Sequence, residues 1–184
     1  MNRLLAAVLA LILCLPLCAF AEEAATGVTS SAVEPAAKGL RINEIMASNT
    51  ETLEDSFGNT ADWIELHNTT DQPIDMTGMY LSDSKKDLER YQFPDGLIIE
   101  PDAYLIIFAS GLKKNVDDEL HTPFKLSASG ESVYLMQDGL AVDIVTFPKQ
   151  ISDVSYALDE DGTYSFTSTA TPGEANEITP VEDD

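Results

Sequence analysis

The sequence predicts an all-β protein, an antiparallel β-sandwich built as a single domain over residues 40–177. Three observations carry this. Eight or more short apolar runs recur at near-regular spacing, with turn-forming residues between them. Past the first twenty-one residues no run has the helical period. Two Asp-Gly pairs, Asp138-Gly139 and Asp161-Gly162, each sit between strand-like runs, the strongest short-range signal of a hairpin.

Residues 1–21 have the form of a secretory signal. Arg3 supplies the positive charge, residues 4–17 are nearly continuous apolar sequence, and Ala19-Phe20-Ala21 is an A-x-A cleavage site before Glu22. The expected product is secreted, extracellular or held at the cell surface. Two rivals stand beside this reading. An uncleaved anchor would need a longer apolar core, and lipoprotein processing at Cys18 would need a small residue where Leu17 stands. Cys14 and Cys18 both lie within the leader, so cleavage leaves a chain without cysteine. A disulfide framework and a thiolate metal site are excluded, and the hydrophobic core alone must hold the fold.

Residues 22–39 are rich in Ala, Thr, Ser, Glu and Pro and read as a disordered linker. A first strand is expected over residues 40–47 and a polar loop over 48–61. The stretch 62–83 organises the rest: a strand, the turn residues 68–73, and a second strand over 74–81 with Gly78 as a bulge, together a hairpin. In its first strand Ile64 and Leu66 point to one face and Trp63, Glu65 and His67 to the other. A charged loop follows at 82–89, an extended piece at 90–93, a Pro-Asp-Gly turn at 94–96 and a brief strand at 97–99. Residues 103–109 are apolar without alternation and predict a central strand buried on both faces. Residues 110–123 form the longest polar loop. Hairpins are expected from 131–137 with 140–147 and from 154–158 with 163–166, before Thr171-Pro172-Gly173 stops the last strand and an acidic tail closes residues 178–184.

The charge balance is extreme, with 10 basic and 32 acidic residues in the whole chain, a net charge of −22. Such a chain is not a nucleic-acid binder, and an anionic membrane surface would repel it after cleavage. Solubility through self-repulsion is the plain reading; an acidic face for cations or for a basic partner is the sharper one.

Few side chains suggest chemistry. His67 and His121 are the only histidines, and neither sits in a metal-ligand spacing. Glu44 and Glu65 fall mid-strand, with Asp62 nearby, and a carboxylate pair of this kind can serve acid–base work on a glycosidic bond. Strand carboxylates that bind neighbouring backbone are far commoner. Asp159-Glu160-Asp161-Gly162 matches the opening of an EF-hand loop, yet Ala170 stands where the bidentate Glu belongs. Asp159 and Asp161, with Asp117, Asp118 and Glu119, are therefore weak calcium candidates, and no metal, cofactor or catalytic residue is assigned. Trp63, Tyr80 and Tyr104 are read as core aromatics before a platform for sugar rings. Asn68-Thr69-Thr70 has the form of a glycosylation sequon.

The segments Ile42-Asn43-Glu44-Ile45-Met46-Ala47-Ser48-Asn49, Asp62-Trp63-Ile64-Glu65-Leu66-His67-Asn68 and Met76-Thr77-Gly78-Met79-Tyr80-Leu81-Ser82-Asp83 resemble the lamin-tail domain in its bacterial, secreted form. Phe93-Pro94-Asp95-Gly96, Tyr104-Leu105-Ile106-Ile107-Phe108-Ala109-Ser110-Gly111, Phe124-Lys125-Leu126-Ser127-Ala128-Ser129-Gly130-Glu131 and Thr171-Pro172-Gly173-Glu174-Ala175-Asn176 continue the series in order. Met79 and His67 depart from the aromatic and the tyrosine often found at those places. The resemblance implies an immunoglobulin-like sandwich and a non-catalytic binding or structural module, with no catalytic residues to carry over. The expected partner is a protein or a cell-envelope glycan, met through loops 48–61, 82–89 and 110–123; an edge strand is a route to self-association. An accessory acting in trans with a separate secreted hydrolase or kinase is the second reading. A stand-alone hydrolase using Glu44 and Glu65 is the third.

Overall fold

The computed structural model describes residues 37–181. The expected leader at 1–21 and the expected linker as far as residue 36 lie outside the described residues. Period-two alternation gives twelve strands, and no helix among the described residues: β1 Leu40–Met46, β2 Asp62–Asn68, β3 Ile74–Asp75, β4 Met79–Ser82, β5 Tyr91–Gln92, β6 Ile98–Ile99, β7 Tyr104–Ala109, β8 Leu120–His121, β9 Glu131–Gln137, β10 Leu140–Phe147, β11 Ser155–Leu158 and β12 Tyr164–Thr167. A six-stranded sheet runs β12-β11-β1-β2-β7-β8, a four-stranded sheet runs β10-β9-β4-β5, and β3 pairs with β6.

The apolar sides of the two large sheets face each other. Ile42, Ile45, Ile64, Leu66 and Ile107 from one meet Leu81, Val133, Leu135, Val145 and Phe147 from the other in a single buried cluster. Each fully buried aliphatic or Phe side chain contributes about 1.5–3 kcal/mol. This is the all-β, immunoglobulin-like sandwich expected. One pairing departs from the antiparallel rule: β7 and β8 run parallel.

Three local expectations are corrected. The stretch 62–83 is not a hairpin, because β2 pairs with β1 and β7 while β4 pairs with β5 and β9 in the other sheet. Nor is 74–81 one strand bulged at Gly78: it is β3 and β4 of two different sheets, with Gly78 (φ 76°) in the turn between them. Asn68 turns the chain across the core. Its amide nitrogen donates to the carbonyls of Gln72, Ile99 and Glu100, and its side-chain oxygen accepts from the Thr70 amide. With Asn68 fully buried and its amide engaged, the sequon offers no glycosylation site in the folded chain. Second, β8 lies inside the segment expected to be one polar loop. Third, β7 is fully buried only over Ile107, Phe108 and Ala109; Tyr104 to Ile106 are half-buried, since β8 covers just two residues of it.

Both Asp-Gly hairpins form, as β9–β10 and β11–β12. Asp138 (φ 50°) and Gly139 (φ 76°) take the two left-handed positions that a tight hairpin turn requires. Ala37, assigned to the linker from sequence, is buried in the main cluster, and its N–H donates to the Gln137 side chain at 3.1 Å. At the other terminus Thr179 donates its N–H to the Thr167 hydroxyl, which ties the beginning of the acidic tail to β12.

Candidate functional site

Strand directions gather loops 48–61, 82–90, 110–123 and 148–154 at one end of the sandwich. β2 begins where β1 and β7 end, and β9 begins where β4 ends. These loops are braced against one another by side chains. Asp153 accepts from the N–H groups of Thr50 and Glu51 and from the Thr52 hydroxyl. Glu119 accepts from the Ser56 N–H at 3.0 Å with both oxygens. The Tyr91 hydroxyl bonds Asn115 at 3.0 Å, and the Arg90 guanidinium lies 5.3 Å over the Phe124 ring while pairing with Asp83.

The tip of loop 48–61 is itself a built turn. Asp55 is buried and its Oδ1 accepts from the N–H groups of Phe57 and Asn59. Burial pushes this carboxyl up, but the bonds from Asn59 and Phe57 and the nearby His121 outweigh it and hold its pKa below the ordinary value. Phe57, at the centre of this fixed turn, is 63% exposed. Beside it opens a cleft of about 520 Å³ lined by Asp55, Gly58, Asn59, Ser110, Leu112 and Lys125. Leu112 and Ile151 are also exposed at this end. Large apolar groups held on a rigid frame are what a docking surface needs, because little conformational entropy is lost on contact.

The carboxylate pair lies elsewhere. A bulge at Asn43 turns Glu44 onto the outer face of the six-stranded sheet, directly opposite Glu65. Both are fully buried under the C-terminal segment. Glu44 accepts from the Ser155 hydroxyl at 2.5 Å and from the Thr171 N–H and hydroxyl. Glu65 accepts from the Asn43 amide at 2.8 Å and from the Gly173 N–H at 2.5 Å. Burial raises both pKa values, that of Glu65 to about 7, where the neighbouring Glu44 charge adds to the effect. Asp62, read with this pair, points instead to the Asn49 N–H at the loop end. The pair fastens the segment that covers it, and a glycosidic substrate has no exposed carboxylate here to reach. Sequence placed Glu44 and Glu65 mid-strand but carried no sign of the cover, because Thr171 and Gly173 lie over a hundred residues away.

The histidines are far apart along β7. His67 stacks on Tyr104 with centroids 4.2 Å apart and meets Asp102 at 3.0 Å. His121 is buried against Phe108, with Nδ1 3.0 Å from the Ser110 hydroxyl and Nε2 3.5 Å from Glu119 without a hydrogen bond. Trp63 is fully buried in a second cluster with Met46 and Phe108, whereas Tyr80 stands on the four-stranded sheet, so the three aromatics form no platform. Of the weak calcium candidates, Glu119 is spent on Ser56, Asp117 and Asp118 are exposed beside it, and Asp159 accepts from the Thr163 N–H. Asp161 is exposed in the β11–β12 turn, at the other end of the molecule. Among the described residues no group of three or more His, Cys, Asp or Glu side chains is arranged to hold a metal ion.

A search of curated proteins returns no match. The family model for the Lamin Tail Domain matches residues 34–149, from the linker's end through β10. That family is immunoglobulin-like and non-enzymatic, in agreement with the two-sheet architecture and with the burial of the Glu44–Glu65 pair. The chain belongs to the Lamin Tail Domain family.

Proposed function

We propose that this protein is an exported, non-catalytic interaction module of the cell surface, which meets a protein or an envelope glycan through the loop end of its sandwich. One observation carries the reading: Phe57 is 63% exposed on a turn fixed by Asp55 and braced by Glu119 from the next loop. Aromatic side chains, Phe among them, are enriched at the cores of protein interfaces. The secretory pattern of residues 1–21 supports export, and family membership supports a module without catalysis.

The test is capture from native cell-envelope and secreted fractions, with a charge-matched acidic protein as control and with calcium or a chelator present. Saturable capture that falls at least tenfold with Phe57→Ala, a loss of ~1.4 kcal/mol, is the expected result. Capture equal to the control, or capture indifferent to Phe57→Ala, contradicts the reading. Dependence on calcium would bring Asp117 and Asp118 back as ligands.

A further inference from the structure

Glu44 and Glu65 lie opposite each other on adjacent strands with no exposed surface, and among the described residues neither has an ion-pair partner. Hydrogen-bond donors alone reach them: Ser155 and Thr171 for Glu44, Asn43 and Gly173 for Glu65. Two like charges so close, without a cation or water, do not readily ionise together, so the covered pair keeps a proton.

The titratable groups around the pair do not relieve this. On β7, Tyr104 is raised by burial, by Asp102 and by Glu65 itself. On β2, His67 stacks on Tyr104 and meets Asp102. On β1, Arg41 is taken by Asp143. Past β11, Asp159 and Glu160 add carboxylates, and Glu174 in the cover is exposed.

The cover is a loop with a fastened base. The Ser168 N–H donates to the Thr179 carbonyl, and the Thr179 N–H to the Thr167 hydroxyl, which itself donates to the Glu177 carbonyl. Between these ends, residues 170–176 meet the body at the carboxylate pair, through Asn176 on Asn43 and Leu158, and through Ala170 against the Met46–Trp63–Phe108 cluster. Gly173, Glu174 and Ala175 are exposed. Little apolar surface holds the loop down, so its attachment depends on the two groups beneath it.

We propose that residues 170–176 form a latch, shut while the Glu44–Glu65 pair keeps its proton and loosened as that proton leaves, with the two sheets still folded. The N–H groups of Thr171 and Gly173 favour the ionised carboxylates, but burial outweighs them and holds Glu65 at about 7. With the loop lifted, water reaches Glu65 and its pKa returns to the ordinary value near 4.5. The open population therefore grows about tenfold for each pH unit between these two values and levels off above about 7. Lifting the loop bares both carboxylates beside a cleft of about 340 Å³ lined by Asn43, His67, Tyr104 and Asn176. The latch lies away from the loop end and does not depend on it.

Amide exchange on the full chain, corrected for the intrinsic effect of pH, tests it. Protection of the Thr171 and Gly173 amides should fall at least tenfold from pH 5 to pH 7.5. A lifted loop exposes little surface, so this exchange should be indifferent to low denaturant, unlike that of β9 and β10. The Glu65 carboxyl carbon, followed by NMR in the wild-type chain, should titrate where the loss levels off. Glu65→Gln should cut the change to less than threefold. Protection that is constant with pH overturns the latch, as does exchange at Thr171 and Gly173 that follows denaturant in step with β9. A levelling-off without Glu65 titration, or a Glu65→Gln chain with the wild-type change, overturns it equally.

Discussion

Glu44 and Glu65 face each other across β1 and β2, both fully buried, and each is hydrogen-bonded to the C-terminal segment that covers them. Their pKa values are raised by burial, that of Glu65 to about 7. The native state therefore holds a proton that the unfolded chain releases near pH 4.5. The contribution of Glu65 is fully present below that value and is lost as pH climbs through about 7, by roughly 3 kcal/mol for this group taken alone. Thermal melts from pH 5 to pH 8 should show this decline, and Glu65→Gln should flatten it. An equally steep decline in Glu65→Gln would show that the slope comes from general charge repulsion.

The covering segment is a second point of leverage. Gly173 sits at φ 85° and gives its N–H to Glu65. Proline can supply neither the dihedral nor the donor, so Gly173→Pro should cost about 3 kcal/mol in denaturant unfolding. Asn176→Ala, which removes donors to the Asn43 and Leu158 carbonyls, should cost about 1–3 kcal/mol.

Gly130 shows how tightly the chain approaches itself. A Cβ there would lie 2.8 Å from the Phe147 carbonyl oxygen, at a φ of +93°. Gly130→Ala should destabilise by about 1–3 kcal/mol, visible as a lower unfolding midpoint, whereas Gly139→Ala meets open space and pays only for its dihedral.

Asp153 governs the loop end. Burial opposes its ionisation, yet bonds from Thr50, Glu51 and Thr52 lower its pKa to about 2. Its contribution is present above pH ~4, the ordinary range of a free Asp, and is lost as pH falls through about 2. Asp153→Ala should speed amide exchange at Thr50 and Glu51 while leaving β9 and β10 protected. Unchanged exchange at those two amides would mean that the loop is held by something else.

Much of this was written in local sequence. Asp138-Gly139 and Asp161-Gly162 marked both hairpins because a tight turn has few chemical solutions. Ile64 and Leu66 marked the inward face of β2 through simple alternation. Pairing was not legible in the same way: nothing in residues 62–83 says that β2 and β4 belong to different sheets, since that depends on Asn68 binding carbonyls some thirty residues on. β8 was hidden because Leu120-His121 is short and takes its place only from β7. The proposed docking surface was half legible. Its loops were named from their polarity, but Phe57 gave no signal, because a lone aromatic in a polar loop reads the same whether it folds inward or stands out.

The central claim is that the loop end is the working surface. Amide exchange on the protein with and without its captured partner tests it most directly. The account predicts added protection across residues 49–61 and 110–119, with the Glu44–Glu65 strands unchanged. Protection that leaves residues 49–61 untouched and falls instead around His67 and Tyr104 would contradict it.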